Sequence, residues 1–347
     1  MTGSKTAIFI VGNFFDNRRG TPTTQAEELK KILEQRGVRV LSSSRHIRRF
    51  PRLLDTLYSL IRHRREYRIV NIQFYGGLAL VLEDLSSLLA KWMGKTIVFT
   101  LHGGAIPDKV KIHPRWYRSV LKRGTVITCP SPYLIHHLAP LGLPMRLIEN
   151  SLPLPEYAFH PKESFGPRLL WMRSFHPIYN PVMALEVVAL LKQDFPGVRM
   201  YMAGVDLGHF EQTKALARQM GLEQEVIFPG YLNTSEKNRL AETCDIYLCT
   251  NRIDNTPVSL LEMMALGLPV VTTHVGGIPF MIQNGEALLV PSEDAAAMAA
   301  AIRRLIAEPE TGQQIVKKGL LLVQRYGEET VAAKWLALLG ELGFEHS

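Results

Sequence analysis

Two carboxylates eight residues apart carry the strongest chemical signal in this chain. Glu262 sits among Val258, Leu260, Leu261, Met263, Met264 and Leu266. The surrounding segment, CDIYLCTNRIDNTPVSLLEMMALGLPVVTTHVGGIP, reads as strand, loop, helix, strand, loop. Thr256 fits the N-cap, Pro257 the first helical position, Gly267 the stop, and Pro269 keeps the helix from resuming. A carboxylate on so apolar a helix is costly unless partners meet it. Ligand hydroxyls would serve, and so would an arginine. Asp254 lies in the loop feeding this helix. It presents an acceptor beside a helix N-terminus, where free N–H groups favour oxygen-rich, anionic ligands. Its alternative use is a second helix cap.

Other candidates stand in the first half. His102, in FTLHGG, follows an apolar strand and is flanked by Gly103 and Gly104. At the carboxyl end of a strand it can hydrogen-bond a ligand or handle a proton near neutral pH; a structural histidine is the alternative. Gly12 ends the first apolar run and opens GNFFDNRRGTPTT. A glycine there lets backbone approach a ligand, though any tight strand-to-helix turn asks for the same residue. The pattern is not G-x-G-x-x-G, which counts against a dinucleotide oxidoreductase.

These residues are positioned by alternating strands and helices. TAIFIV, VRVLS, RIVNIQF, KTIVFTL, TVITC and MRLIEN are strand-like runs, separated by helical segments such as 24–35, a helix with the apolar stripe Leu53, Leu54, Leu57, Tyr58 and Ile61, and GLALVLEDLSSLLAKWMG. The pattern breaks at SLPLPEYAFHPKESFGP, too rich in proline for a regular element. It resumes with RLLWM, a helix from about Pro181 to Gln193, and the strands VRMYMAG, EVIFPG, CDIYLC, LPVVTT and EALLVP. EDAAAMAAAIRRLIA and GEETVAAKWLALLGEL are the clearest amphipathic helices. Such alternation predicts an α/β chain of two doubly wound, Rossmann-like parallel-sheet domains facing a central cleft. The expected boundaries are 1–155, 156–327, and a C-terminal helix at 328–347 that packs back toward the N-terminal domain.

Composition narrows the classes. With 347 residues, 46% apolar and 21% charged, the chain is neither disordered nor fibrous. No run is long enough to cross a bilayer, and Thr6–Val11 is too short for a secretory apolar core. Cys129, Cys244 and Cys249 form no ligand cluster and cannot pair evenly, so a reducing cytoplasm is expected. Residues 1–150 hold 24 Lys+Arg against 10 Asp+Glu, whereas the remainder holds 16 against 22. The first half should therefore meet something anionic. Arg45, Arg48 and Arg49 precede one helix and Arg62, His63, Arg64 and Arg65 close it. A solvated helix end explains them; an anionic membrane surface, met by a peripheral protein at its inner face, is the alternative. No nucleic-acid-binding pattern is present.

Asp254-x7-Glu262 followed by MMALGLPVVTTHVGGIP resembles the Glu-x7-Glu signature and downstream glycines of retaining glycosyltransferases of family 4, which have the GT-B fold. RLLWMRSF resembles the strand and arginine that open the family's donor domain, VIFPGYL its mid-domain strand and glycine, and EALLVPSEDAAAMAAAI its ending. The linker ENSLPLPEYAF is similar at Asn150 and Phe159. In the first half the likeness rests on the βαβ pattern and LHGG.

The resemblance implies a nucleotide-sugar donor, commonly a UDP-sugar, and a saccharide or lipid-linked acceptor. It implies that Glu262 holds the ribose, that Asp254, Asn255 and Thr256 hold the transferred sugar, that Arg173 neutralises the diphosphate, and that His102 stands near the sugar. Gly12 joins the donor-binding set. No metal or other cofactor is implied, since an Asp-x-Asp pair is lacking. The chain departs from the family twice: Asp254 replaces a glutamate, and Asn180 stands where a phosphate lysine is expected. These departures keep open a weak or inactive nucleotide-sugar-binding protein and, more remotely, a sugar-nucleotide epimerase.

Overall fold

The computed structural model describes residues 7–14 and 24–344. Most of the loop GNFFDNRRGTPTT, at 15–23, and the ends at 1–6 and 345–347 lie outside the described residues. The chain divides into two compact units, Met1–Ser151 with Glu328–Ser347, and Leu152–Gly327.

The first unit holds a parallel six-stranded sheet. Its strands are β1 (Ala7–Val11), β2 (Val40–Ser42), β3 (Tyr67–Phe74), β4 (Thr96–Leu101), β5 (Val126–Cys129) and β6 (Met145–Leu147), in the order β2-β1-β3-β4-β5-β6. Ile8 is in register with both Val40 and Ile69. Residues of β1 and all of β3 but Arg68 are buried, as expected of parallel strands covered on both faces. The helices are α1 (Gln25–Gln35), α2 (Arg49–Arg62), α3 (Leu80–Trp92), α4 (Ile106–Ile112), α5 (Pro114–Leu121) and α6 (Pro132–Leu138). A capping box of Thr24 and Glu27 starts α1, each side chain meeting the other's backbone N–H.

The second unit repeats the plan with β7 (Arg168–Met172), β8 (Arg199–Ala203), β9 (Val226–Gly230), β10 (Ile246–Cys249), β11 (Val270–Thr273) and β12 (Leu288–Val290), in the order β12-β11-β10-β7-β8-β9. Its helices are α7 (Pro181–Lys192), α8 (Phe210–Gln219), α9 (Thr234–Thr243), α10 (Val258–Ala265), α11 (Ile278–Met281), α12 (Ala295–Ala307) and α13 (Pro309–Val323). The sheet has a core on each face. Leu169 and Trp171 of β7 join one with α7 and α12; Leu170 and Met172 join the other with α10 and α13.

The last helix, α14 (Glu328–Glu341), returns to the first unit. Val331, Trp335, Leu338 and Leu339 enter the core built on Ile8, Ile10, Leu29 and Leu33, and Lys334 pairs with Glu149. Among the described residues no helix is long and apolar enough to cross a membrane.

One sequence expectation is corrected. Thr256 is not the N-cap of the acidic-motif helix: Pro257 occupies that position, α10 starts at Val258, and no side chain caps it.

Candidate functional site

In the second unit β7 and β10 are neighbours, yet the chain leaves β7 toward β8 and leaves β10 toward β11. At such a switch point the connections diverge and open a crevice beyond the carboxyl ends of the strands, where ligands bind in this class of sheet. Arg173 follows β7 directly, and the loop holding Asn251, Asp254, Asn255 and Thr256 follows β10. The fold thus joins groups far apart in sequence. Arg173 Nη2 donates to Asp254 Oδ2 at 2.6 Å, and Nη1 to Ser259 Oγ at 3.1 Å. The guanidinium lies 4.1 Å from the Tyr179 ring centre, a cation–π distance. Asp254 also accepts from Asn251 Nδ2 at 2.8 Å and from the Asn255 N–H at 2.7 Å. Tyr247, buried, donates to Ser259 Oγ or accepts from it at 2.9 Å, fixing the serine beneath Arg173.

Burial works against charge on both members of the pair. At Arg173 the attraction of Asp254 outweighs it and holds the guanidinium protonated above its ordinary range. At Asp254 burial lifts the carboxyl above its ordinary value, with Arg173, Asn255 and Asn251 pulling it back. Three polar atoms of this cluster are buried without a partner among the described residues: Arg173 Nε, Asn251 Oδ1 and Thr256 Oγ1. Each such atom costs ~1–3 kcal/mol if nothing meets it. Freed from capping, the Thr256 hydroxyl is available to a ligand, as are the first-turn N–H groups of the uncapped α10.

Glycines hold the two arms in place. A Cβ on Gly204 would stand 1.9 Å from the Arg173 carbonyl oxygen. On Gly276 and Gly277 it would stand 2.1 Å from the Asp254 and 2.0 Å from the Asn255 carbonyl oxygens. The two adjacent glycines of HVGGIP are therefore the floor under the acidic loop.

Glu262 lies one turn beyond Ser259 on α10, 7% exposed. Its partner is a lysine rather than the alternative arginine: Lys237 Nζ donates to Oε1 at 2.7 Å, joined there by the Tyr157 hydroxyl at 2.9 Å. Oε2 takes no hydrogen bond among the described residues. Asn180 is buried as the N-cap of α7 in the left-handed region (φ 48°); its Oδ1 accepts from the Met183 N–H at 3.3 Å and its Nδ2 donates to Glu293 at 3.0 Å. The cation against that loop is Arg252, from the loop after β10, which donates to the Pro177 carbonyl and pairs with Glu293 at 2.5 Å.

In the first unit Gly12 approaches protein. Its N–H bonds Ser43 Oγ at 3.1 Å, and a Cβ would meet Ala26 Cβ at 2.8 Å and Gln73 Cγ at 2.9 Å. His102 follows β4, buried, with its ring stacked on Tyr75 at 5.0 Å. Its Nε2 lies 2.5 Å from Gln73 Oε1. Gln73 donates its amide to Asn71, which donates to Thr100 Oγ1 at 2.8 Å. That order makes Gln73 Oε1 an acceptor, so the proton sits on His102 Nε2 and Nδ1 is left as acceptor. Burial holds the imidazole down to about 4, neutral at physiological pH. Beside it lies a cavity of about 20 Å³, room for one water, lined by Gln73, Thr100, His102, Glu149, Asn150 and Trp335.

A third buried acid supports that end of the sheet. Glu83 accepts from the Tyr75 N–H at 2.7 Å and from the Gly76 N–H at 3.2 Å, clamping the loop whose tyrosine stacks on His102. Burial lifts its carboxyl from 4.5 to about 7. The folded state therefore binds a proton that the unfolded chain has released, and stability falls as pH rises through that window. Glu83→Gln removes the ionisable group. Between pH 5 and pH 8 the variant should gain about 2.5 kcal/mol on the parent, read from denaturant unfolding at the two pH values; a constant difference would mean that Glu83 is ionised throughout.

A family model described as Glycosyl transferases group 1 matches residues 159–320, and one described as Glycosyltransferase Family 4 matches residues 15–154. The amylovoran biosynthesis glycosyltransferase AmsK of Erwinia amylovora is 26% identical over 260 residues, 68% of this chain and 60% of that one. The matched stretches span 30% to 60% of the length of such curated relatives. Among solved structures, sucrose-phosphate synthase from Thermosynechococcus elongatus superposes with a TM-score of 0.79 at 16% identity, covering 97% of this chain and 99% of that one. Anabaena Alr3699/HepE in complex with UDP gives 0.77 at 15% identity, covering 97% and 100%. Two parallel six-stranded sheets flanked by helices are the GT-B fold. The chain belongs to the group 1 glycosyl transferases, glycosyltransferase family 4.

Several residues of the cluster carried no signal in the sequence. Asn251, Ser259 and Tyr179 gain meaning only once β7 and β10 are neighbours. Lys237 and Tyr157 come from α9 and the proline-rich linker, and nothing local ties either to Glu262.

Proposed function

We propose that this protein is a retaining glycosyltransferase that moves a hexosyl group from a UDP-sugar to a saccharide or lipid-linked acceptor. The observation that carries the reading is the partly buried Arg173–Asp254 pair at the β7/β10 switch point, with three polar atoms around it that lack a partner among the described residues. Arg173 faces the leaving diphosphate and stabilises the charge that grows there as the glycosidic bond breaks. The uncapped first turn of α10 adds N–H groups to the same task. Asp254, Asn255 and Thr256 hold hydroxyls of the transferred sugar, and Glu262 takes the ribose through Oε2 while Lys237 and Tyr157 fix Oε1. His102, neutral, accepts a sugar or acceptor hydroxyl at Nδ1, and the first unit is assigned the acceptor. The UDP and UDP-glucose complexes of Alr3699/HepE support uridine as the base.

A thermal-shift series with UDP-, GDP- and ADP-sugars tests the donor, because a ligand bound only by the folded state raises the melting temperature. The UDP-sugar is expected to give the largest shift, and UDP release to require an acceptor. Donor conversion without acceptor would mark an epimerase. Binding without turnover would favour the nucleotide-sugar-binding reading, to which Asn180 lends weight by serving as a cap where a second cation would stand. Glu262→Ala removes a charged acceptor worth ~1.5–3 kcal/mol. UDP affinity should fall about 10- to 100-fold, measured by calorimetry. Unchanged affinity would remove the ribose assignment.

A further inference from the structure

The apolar stripe of α2 does not all face the core. Phe50, Leu54, Tyr58 and Ile61, spaced by four, four and three residues, lie on one side of the helix and are exposed, Phe50 at 70%. The neighbouring α3 does the same. Leu78, in the turn just ahead of it, and Val81, Leu85, Leu88 and Trp92 repeat at three and four residues, with Leu78 at 74% and Trp92 at 82% exposed. The two helices pack against each other, while Thr56 and Leu60 of one and Glu83, Ser86, Ser87 and Ala90 of the other face inward. More than half the large apolar side chains exposed on the described residues fall on these two helices and the few residues leading into them. So concentrated an apolar surface marks an interaction site.

Its rim is cationic. Arg45, Arg48, Arg49, Arg62, Arg64 and Arg65 are all exposed at the ends of α2. Arg48, Arg49, Arg62 and Arg65 make no ion pair among the described residues. Of the nearby carboxylates, Glu66 is held by Arg39 and His63, and Asp84 by Arg123 and Trp116. A second copy of the same face would bring arginine against arginine across a two-fold axis, which disfavours self-association. An apolar face bordered by unpaired arginines is complementary to the surface of an anionic bilayer, whose headgroups meet the guanidinium groups while the side chains of Leu, Phe and Trp enter the acyl boundary.

We propose that the α2–α3 face of the first unit docks on anionic lipid, with Trp92, Leu88, Leu54 and Phe50 inserted and the flanking arginines on the headgroups. The basic run alone predicts electrostatic attraction. The outward apolar stripes predict insertion as well, and this inference stands whether or not the donor assignments hold.

The full chain would be sedimented with phosphatidylglycerol–phosphatidylcholine vesicles and with pure phosphatidylcholine vesicles. The expected result is partition into the anionic vesicles, with a blue shift in tryptophan emission that Trp92→Phe removes. Neutralising Arg62, Arg64 and Arg65 together should weaken partition on the order of 100-fold. Leu88→Glu with Trp92→Glu should abolish it at an unchanged melting temperature, since both side chains are exposed. Three results would overturn the proposal: no partition into anionic vesicles; binding that the arginine changes abolish and the glutamate changes spare, which would be headgroup attraction without insertion; or concentration-dependent self-association lost in the glutamate variant without any lipid binding, which would make the face a protein interface.

Discussion

Arg173→Ala is expected to lower sugar transfer about 10²- to 10³-fold, the loss seen when one pre-aimed donor is removed from a developing anion, ~2.7–4 kcal/mol. The same change strands Asp254, partly buried and hydrogen-bonded to Arg173 at 2.6 Å. Removing one partner of a fully buried ion pair costs ~3–5 kcal/mol in stability, and this partly buried pair should lose less. The two losses can be separated. In Arg173→Ala/Asp254→Asn the stranded charge is gone, so the melting temperature should recover most of what the single variant loses, while turnover stays low. Recovery of turnover along with stability would show that Arg173 serves only to neutralise Asp254. Arg173→Lys adds a further distinction. Lysine keeps the charge but not the fork that reaches both Asp254 and Ser259, so turnover should fall between those of the parent and the alanine variant.

That Arg173 and Asp254 meet could not be read locally. They are 81 residues apart, and no periodicity links them; only the strand order, with β10 beside β7, brings them together. The strand order itself follows from features that are visible. In RLLWM every residue after Arg168 is buried, with alternate side chains in separate cores, which is how a continuous apolar run reads when a strand is covered on both faces. Helices were less legible where they are short. The stretch between β4 and β5 folds as α4 and α5, broken at His113–Pro114, and neither is long enough to build a convincing apolar repeat. For α2 the repeat was clear but its direction was not. Periodicity shows that a helix has two sides, and the stripe through Leu54, Tyr58 and Ile61 is the one turned outward. At Thr256 an error of one residue in the helix start changes the chemistry, from a hydroxyl spent on capping to one without a partner.

The glycines after β11 offer the second large effect, because what they touch is backbone. A Cβ at Gly277 would lie 2.0 Å from the Asn255 carbonyl oxygen, and one at Gly276, already at φ +52°, would lie 2.1 Å from that of Asp254. The Gly277 N–H also donates to the Asp254 carbonyl at 2.8 Å, so the loop cannot move off without losing that bond. Gly277→Ala should cost ~1–3 kcal/mol by overpacking. It should also lower transfer about 10²-fold, since a displacement near 1 Å at a reacting site has that effect. Gly221→Ala supplies the comparison. Its φ of +65° imposes strain, with nothing within 4 Å of the added Cβ, so ~1–2 kcal/mol of stability should be lost with kcat unchanged. Unfolding and turnover measured on both variants separate strain from displacement. If Gly277→Ala lost stability yet kept the parent's kcat, Asp254 would be positioned by Arg173 and Asn251 alone, and the double glycine would serve only folding.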